Sequence, residues 1–415
     1  MKSSFCFCVA LLTLTACGGG GGGGEVTANP QSLCAALNGR SFVTADGVAT
    51  ITAVTLVPPA NGHPENCYVS GVMPTALQFE MRMPTNWNQR VLYLGGGGFD
   101  GVVPELLPPA LAQGYAIVGS NGGHPLAANE NWALDPLQLN DFAYLSVHKT
   151  LTAAREIIAQ RYRQLPLRTY FEGCSNGGRE ALIQAQRYPN DFDGIIARAP
   201  AWNFVELMLA GNKSAQQFFG STASQLSAAK INTLSAAVLT ACDALDNIQD
   251  GIVSNVAACR TAFNPTNLRC PTGTDTNSCL TDAQLATVNT VYSVFNLNTT
   301  PPVPYYIGWP AGGESDAGGW PFWVASQASG LPSFSSRFIQ YFLQQGPTYN
   351  ALNFVPENNL PIIANRIQLI DAAATDYSAF RARGGKLILW HGTNDWAISF
   401  NSTALYYNNV VAAAG

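Results

Sequence analysis

The segment Gly173-Cys174-Ser175-Asn176-Gly177 fits the pattern G-x-S-x-G and falls between "RTYFE", which has strand character, and "REALIQAQR", which has helix character. In that setting the pattern predicts a nucleophile elbow, a turn tight enough to hold a serine hydroxyl clear of the backbone. Ser175 is therefore the candidate nucleophile of acyl-transfer chemistry. The plainer alternative is a Gly-rich turn with a capping serine. Asn176, first residue of the expected helix, offers a backbone amide to an oxyanion. A second donor is expected after an earlier strand, where "VLYLGGGGFDG" offers Gly95 to Gly98; Gly98 is the expected donor, with the register open by one residue.

The acid of a Ser–Asp–His set should follow a late strand, and Asp395 does so in "LILWHGTND". His391 precedes that acid, against the expected chain order, and reads as a hydrogen-bonded structural residue. The sequence has four histidines. None follows Asp395, and His63, His124 and His148 lie upstream in positions that read as structural.

These residues need a scaffold to bring them together. The strand-like runs "ATITAVTLV", "CYVSGVM" and "LQFEMRMP" come first, the last alternating as a half-buried strand should. Apolar runs emptying into glycine turns then alternate with helical stretches, one over residues 145–162, which argues for a parallel-type α/β sheet; with G-x-S-x-G between strand and helix, the expected fold is that of an α/β-hydrolase. From about residue 201 this regularity gives way to cysteine pairs, Asn/Thr/Pro-rich loops and the Trp-rich "YYIGWPAGGESDAGGWPFW", and it returns at "GGKLILWHG". The expected organisation is a hydrolase domain over 32–200 and 376–415, interrupted by a large disulfide-containing lid over 201–375. Trp320, Trp323 and Trp396 are candidates to line an aromatic pocket, with packing within the lid as the alternative for each, and Ile398 beside the acid is a candidate substrate contact.

A chain of 415 residues has room for this, and 47% hydrophobic residues argue for a folded globule. Charged residues, at 11%, fall well below the roughly 25% usual for soluble proteins. The net charge of −5, without a Lys/Arg cluster, argues against nucleic acid as a partner. "MKSSFCFCVALLTLTAC" has one Lys and an apolar run of about a dozen residues, too short to span a membrane, so residues 1–17 read as a secretory signal. The small residues before Cys17 suit a lipobox, with residues 18–31 as a Gly-rich tether; an ordinary signal peptide is the alternative. The protein is thus expected to be exported, touching a membrane only through that anchor.

Export permits disulfides. Of ten cysteines, Cys6 and Cys8 would leave with the signal and Cys17 would carry lipid. Spacing among the remaining seven suggests Cys34–Cys67, Cys242–Cys259 and Cys270–Cys279, leaving Cys174 unpaired. Inside the second of these loops, "CDALDNIQDGIV" sets Asp243, Asp246 and Asp250 three and four residues apart. Three converging carboxylates repel unless a cation neutralises them, and hard oxygen ligands suit Ca²⁺; a solvated acidic loop is the alternative.

The Cys-Ser elbow, the Asp after "HG", the "CDALD…DGIV" loop and the lipobox together resemble the tannase/feruloyl esterase family, which includes enzymes that cleave mono(2-hydroxyethyl) terephthalate. The resemblance runs from about Ser32 onward. It implies Ser175 as nucleophile, Asp395 as acid, Gly98 and Asn176 as oxyanion donors, and structural Ca²⁺ held by Asp243, Asp246 and Asp250 with the carbonyls of Ile248 and Ile252. It also implies a disulfide from Cys174 to a cysteine just after the catalytic histidine. That His-Cys segment, and the strand before it, are missing here, so a C-terminally truncated copy is expected, poorly active for want of its base. Phe334 matches the family residue that covers an aromatic ring. Gly330 stands where terephthalate-ester enzymes carry an Arg, with Arg337 the nearest cation, which favours feruloyl or galloyl esters. The expected function is a serine esterase acting on small esters of aromatic acids. A serine peptidase of the same fold and a non-catalytic aromatic-ligand binder are the alternatives.

Overall fold

Alternating apolar residues build the first half of the sheet. In a computed structural model that describes residues 29–297 and 303–415, β1 (Ser41–Thr44), β2 (Gly47–Val57), β3 (Asn66–Met73) and β4 (Leu77–Pro84) form an antiparallel run. Leu77, Phe79, Met81 and Met83 all point into the core from β4, as period-two alternation requires. The expected signal segment and the tether up to residue 28 lie outside the described residues.

The apolar runs that end in glycine turns form the other half. These are β5 (Arg90–Leu94), β6 (Ala116–Ser120), β7 (Arg168–Cys174), β8 (Gly194–Arg198) and, after the hairpin β9 (Phe295–Leu297) and β10 (Val303–Tyr306), β11 (Lys386–Trp390). The nine-stranded sheet runs β1-β2-β3-β4-β6-β5-β7-β8-β11, with every pair from β6 to β11 parallel. The half from β6 to β11 is the expected parallel-type sheet, and the antiparallel run extends it into a mixed one, because consecutive strands joined by short turns can only pair antiparallel. The helix Ser146–Tyr162 packs on one face through Val147, Leu151, Ala154 and Ile158, against a core that includes Tyr93, Phe171 and Phe192.

Between β8 and β11 the chain leaves the sheet for nearly 190 residues, forming helices such as Phe204–Phe219, Ala228–Cys242, Asp282–Tyr292 and Gly330–Arg337. These pack in a core rich in Phe204, Trp309, Trp320, Phe338 and Phe342, which also takes in Phe99, Trp132 and Phe142 from earlier in the chain. Disulfides join Cys34–Cys67, Cys242–Cys259 and Cys270–Cys279, while Cys174 is free and exposed. Such bridges suit an oxidising compartment. Among the described residues no helix is long and apolar enough to cross a membrane.

Candidate active site

Strand β7 ends at Cys174 and the helix Asn176–Arg187 starts two residues later. Ser175 joins them with φ 61° and ψ −119°, a conformation that a side-chain-bearing residue keeps only when its surroundings impose it. Three backbone hydrogen bonds do so: the Ser175 amide donates to Arg198 O at 3.0 Å, and Ser175 O accepts from the amides of Arg179 and Ala201, both at 3.1 Å. The flanking glycines are required by close approach. A methyl on Gly173 would lie 2.2 Å from Gly177 O, and one on Gly177 would lie 2.6 Å from Gly96 O.

That last contact presses the loop after β5 against the start of the elbow helix. Two amides of its four glycines are spent: Gly95 donates to Glu172 O at 2.9 Å and Gly96 to Glu180 Oε2 at 3.1 Å. Gly98, at φ 59°, lines a cavity together with Ser175 and Asn176, and Gly97 does not. Asn176 is the first residue of its helix, so its amide has no intrahelical acceptor. Its side chain is held at both ends, Nδ2 donating to Asp100 Oδ1 and Oδ1 accepting from Arg179 Nε, each at 2.7 Å.

The cavity measures about 130 Å³ and its walls are mostly apolar, with Phe99, Phe204, Leu207, Met208, Trp323 and Phe334 prominent. Phe334 and Ile398, expected at a substrate site, both line it. Trp396 does not line it, which corrects the expectation: its indole N–H donates to Gly312 O at 3.1 Å and its ring packs on Trp320 in the core of the inserted helices. Trp320 is likewise fully buried there. Phe99 was missed, though it directly follows Gly98; Phe204, Leu207 and Met208 lie on one helix and carry no local signal of a site. A larger groove of about 590 Å³, lined by Asn212, Lys213 and Gln216 among others, contains none of the candidate catalytic residues.

Asp395 follows β11, and its Oδ1 accepts from the amides of Ala397 at 2.8 Å and Ile398 at 3.0 Å, both of which line the cavity. Its charge is felt at the elbow. Partial burial raises the pKa of the Cys174 thiol, Arg198 pulls it back, and Asp395 adds to the rise.

The histidines hold other contacts. His391 Nε2 lies 3.1 Å from Ile398 O and 3.3 Å from Asp395 Oδ2, so it carries the proton, and Nδ1 accepts from Thr403 Oγ1 at 2.8 Å. His124 is buried and stacked on Trp132 with centroids 3.6 Å apart; burial pushes its pKa down to about 4, so it is neutral at pH 7. His148 pairs with Asp191 at 2.6 Å, and His63 closes a turn with Ala60. None of these contacts involves Ser175.

In the acidic loop each carboxylate serves a backbone amide. Asp243 Oδ1 accepts from Asp250 and Gly251, Asp246 Oδ1 from Ile248, and Asp250 Oδ1 from Ile252. Among the described residues no three His, Cys, Asp or Glu side chains are gathered closely enough to hold a metal ion. The oxygen donors of this loop match Ca²⁺ in kind, and no step of the chemistry is derived through it.

A family profile described as tannase and feruloyl esterase matches residues 65–415. An uncharacterised esterase of Agrobacterium fabrum is 30% identical, over 93% of this chain and 78% of its own length. The mono(2-hydroxyethyl) terephthalate hydrolase of Piscinibacter sakaiensis is also 30% identical, over 84% of this chain and 70% of its own. Among solved structures, feruloyl esterase B from Aspergillus oryzae superposes with a TM-score of 0.81 at 25% identity, covering 90% of this chain and 77% of that one.

Proposed function

Since the chain belongs to the tannase and feruloyl esterase family of carboxylic ester hydrolases, we propose that it cleaves esters of aromatic acids through an acyl-enzyme formed on Ser175. The observation that carries this reading is the strained Ser175, opening into an apolar cavity beside two uncommitted amides, those of Gly98 and Asn176.

Attack by Ser175 Oγ on the ester carbonyl carbon turns the carbonyl oxygen into an oxyanion, which accepts from the Gly98 and Asn176 amides. Collapse breaks the bond to the alkoxy group, which leaves as an alcohol, and water then releases the acid. Asp395 serves as the triad acid, held by the amides of Ala397 and Ile398. The proton leaving Ser175 Oγ requires a general base, and none of the described residues is assigned that role.

A cavity of about 130 Å³ is near the roughly 150 Å³ at which an engineered apolar cavity holds one benzene ring. One aromatic ring of the acyl group therefore fits, with Phe334 against it. Arg337 does not line this space; it pairs with Glu130 at 2.6 Å and lies over the Phe334 ring. That favours feruloyl or galloyl esters over a terephthalate monoester, whose free carboxylate needs a cation.

The test compares methyl ferulate, methyl gallate, mono(2-hydroxyethyl) terephthalate and an anilide of ferulic acid as substrates for the wild type and Ser175→Ala. Ester hydrolysis that vanishes in Ser175→Ala is expected. Equal turnover in the variant sinks the nucleophile assignment, and a faster anilide would favour a peptidase.

Two further assignments follow from the residues alone. Asp243, Asp246 and Asp250, with the carbonyls of Ile248 and Ile252, are proposed to take up structural Ca²⁺, which calorimetric titration would read directly. Export with lipid attachment at Cys17 is proposed too, tested by palmitate incorporation that Cys17→Ser should abolish.

A further inference from the structure

Behind the four-glycine loop lie three charged side chains that touch no substrate: Asp100, Arg179 and Glu180. Arg179 and Glu180 are buried, and Asp100 Oδ2 is shut off from solvent with no N–H or O–H donor. An unpaired buried carboxylate oxygen is expensive, so its partner must be sought. Arg179 is not that partner, because its guanidinium is committed to Asn176 Oδ1 and to the carbonyls of Phe142, Ala143 and Ile370. The group that faces Asp100 is the Glu180 carboxyl: both converge on Gly96, whose amide donates to Glu180 Oε2 at 3.1 Å and whose added Cβ would lie 2.8 Å from both Asp100 carboxyl oxygens. Carboxylates in contact inside a protein cannot both ionise, so one proton has to lie between them.

We propose that Asp100 and Glu180 share a proton and act as a positioning pair that locks the Gly98 and Asn176 amides into one oxyanion hole. This builds on the assignment of Ser175 as nucleophile.

The pair cross-ties the two walls of the hole. Asp100 lies two residues past Gly98, its amide closing a turn onto Gly97 O at 2.9 Å, and its Oδ1 receives the Asn176 side chain from the elbow helix. Glu180, one helical turn beyond Asn176, reaches back to the Gly96 amide. Loop thus holds helix and helix holds loop, with the shared proton joining the two ties. Burial raises the pKa of both carboxyls, most strongly that of Glu180. The titratable groups facing the pair are Arg179 on the elbow helix and Tyr93 on β5, whose phenol burial keeps neutral. Loss of the proton leaves two carboxylates in contact, and their repulsion drives the loop away from the helix.

Infrared difference spectroscopy and steady-state kinetics test this on the full chain. Glu180→Gln keeps a donor toward Asp100 and an acceptor for Gly96, whereas Glu180→Ala keeps neither. At neutral pH the wild type should show the carbonyl stretch of a protonated carboxyl that disappears in Glu180→Gln. On a feruloyl ester, Glu180→Ala should lose about 10²-fold in kcat with little change in KM, the scale of one displaced oxyanion donor. Glu180→Gln should keep near-wild-type kcat and lose any fall on the alkaline side of the wild-type profile. No difference band, or a Gln variant as slow as the Ala variant, overturns the proposal. Hydrolysis that survives Ser175→Ala would instead overturn the nucleophile assignment, and the infrared result would still decide whether the proton is shared.

Discussion

One methyl group placed at Gly177 probes whether the elbow and the glycine loop work as one object. In the wild type the Gly177 backbone sits so close to the loop that an added Cβ would lie 2.6 Å from Gly96 O and 3.0 Å from Gly95 C, where ordinary contact starts at 3.4 Å. Backbone bounds both sides of the contact, so no side chain can rotate away. The loop must move by about 0.8 Å relative to the helix, and Gly98 moves with it. Overpacking of this kind destabilises by about 1–3 kcal/mol, while alanine gains about 1 kcal/mol over glycine in a helix, so the net loss of stability is small. Catalysis has no such offset: a misplacement near 1 Å costs roughly 10²-fold in rate, or about 2.7 kcal/mol. Gly177→Ala should therefore stay folded, with a melting temperature a few degrees lower at most, while kcat on a feruloyl ester falls about 10²-fold. Gly97→Ala is the control, since a methyl there meets no atom within 4 Å. Near-wild-type kcat in Gly177→Ala, or an equal loss in both variants, would refute the claim that loop and elbow form a single preorganised unit.

Phe334→Ala removes the ring that faces Gly98, 3.6 Å from where a Cβ added there would lie, and that packs on Phe99; KM for aromatic esters should rise by about 10-fold or more, the worth of one buried aromatic contact, with a smaller change for acetyl esters. Cys174 is the one free thiol among the described residues, so non-reducing denaturation and alkylation should label it, and the native protein should label there too because the side chain is exposed, though more slowly near pH 7 than a fully solvated thiol because partial desolvation raises its pKa. Burial opposes the charge on His148, but the Asp191 hydrogen bond and the charges of Asp191 and Asp46 outweigh it, so its folded pKa is raised. Its contribution is thus fully present below the ordinary histidine value of 6.5 and is lost as pH climbs through the folded pKa; the gap in urea midpoint between wild type and His148→Gln should close over that rise, and a gap that widens would contradict the assignment. Replacing Cys242 and Cys259 together by serine should lower stability by about 3 kcal/mol through loop-closure entropy over a separation of 17, measured by urea unfolding.

Local chemistry accounts for what could be read without coordinates. A glycine two residues either side of a serine, with strand behind and helix ahead, specifies a backbone conformation within five residues, and Ser175 adopts it at φ 61°. Cysteine spacing worked for a similar reason, since chain closeness over 9 to 33 residues limits the choice of partner. The strand-like runs that end in glycine turns stop near residue 198 and resume at 386, where β8 ends and β11 begins. Pattern reading failed for Trp396, where aromatic character beside the acid suggested a pocket wall; the indole instead found Gly312 O and Trp320, more than 70 residues away in the chain.

By itself, then, the amino-acid order determined the elbow, the disulfide pairs and the alternation that builds the sheet, because each depends on conformations or closures within a short stretch of chain. Which of four equivalent glycines faces the cavity, and which carboxyl answers Asp100, depended on how β5 and β7 lie side by side in the sheet. Four identical residues carry no information about register, and a glutamate 80 positions from its aspartate shows no sign of it along the chain. Only packing brings those groups within reach, and it is there that Ser175 meets the two amides proposed as its oxyanion hole.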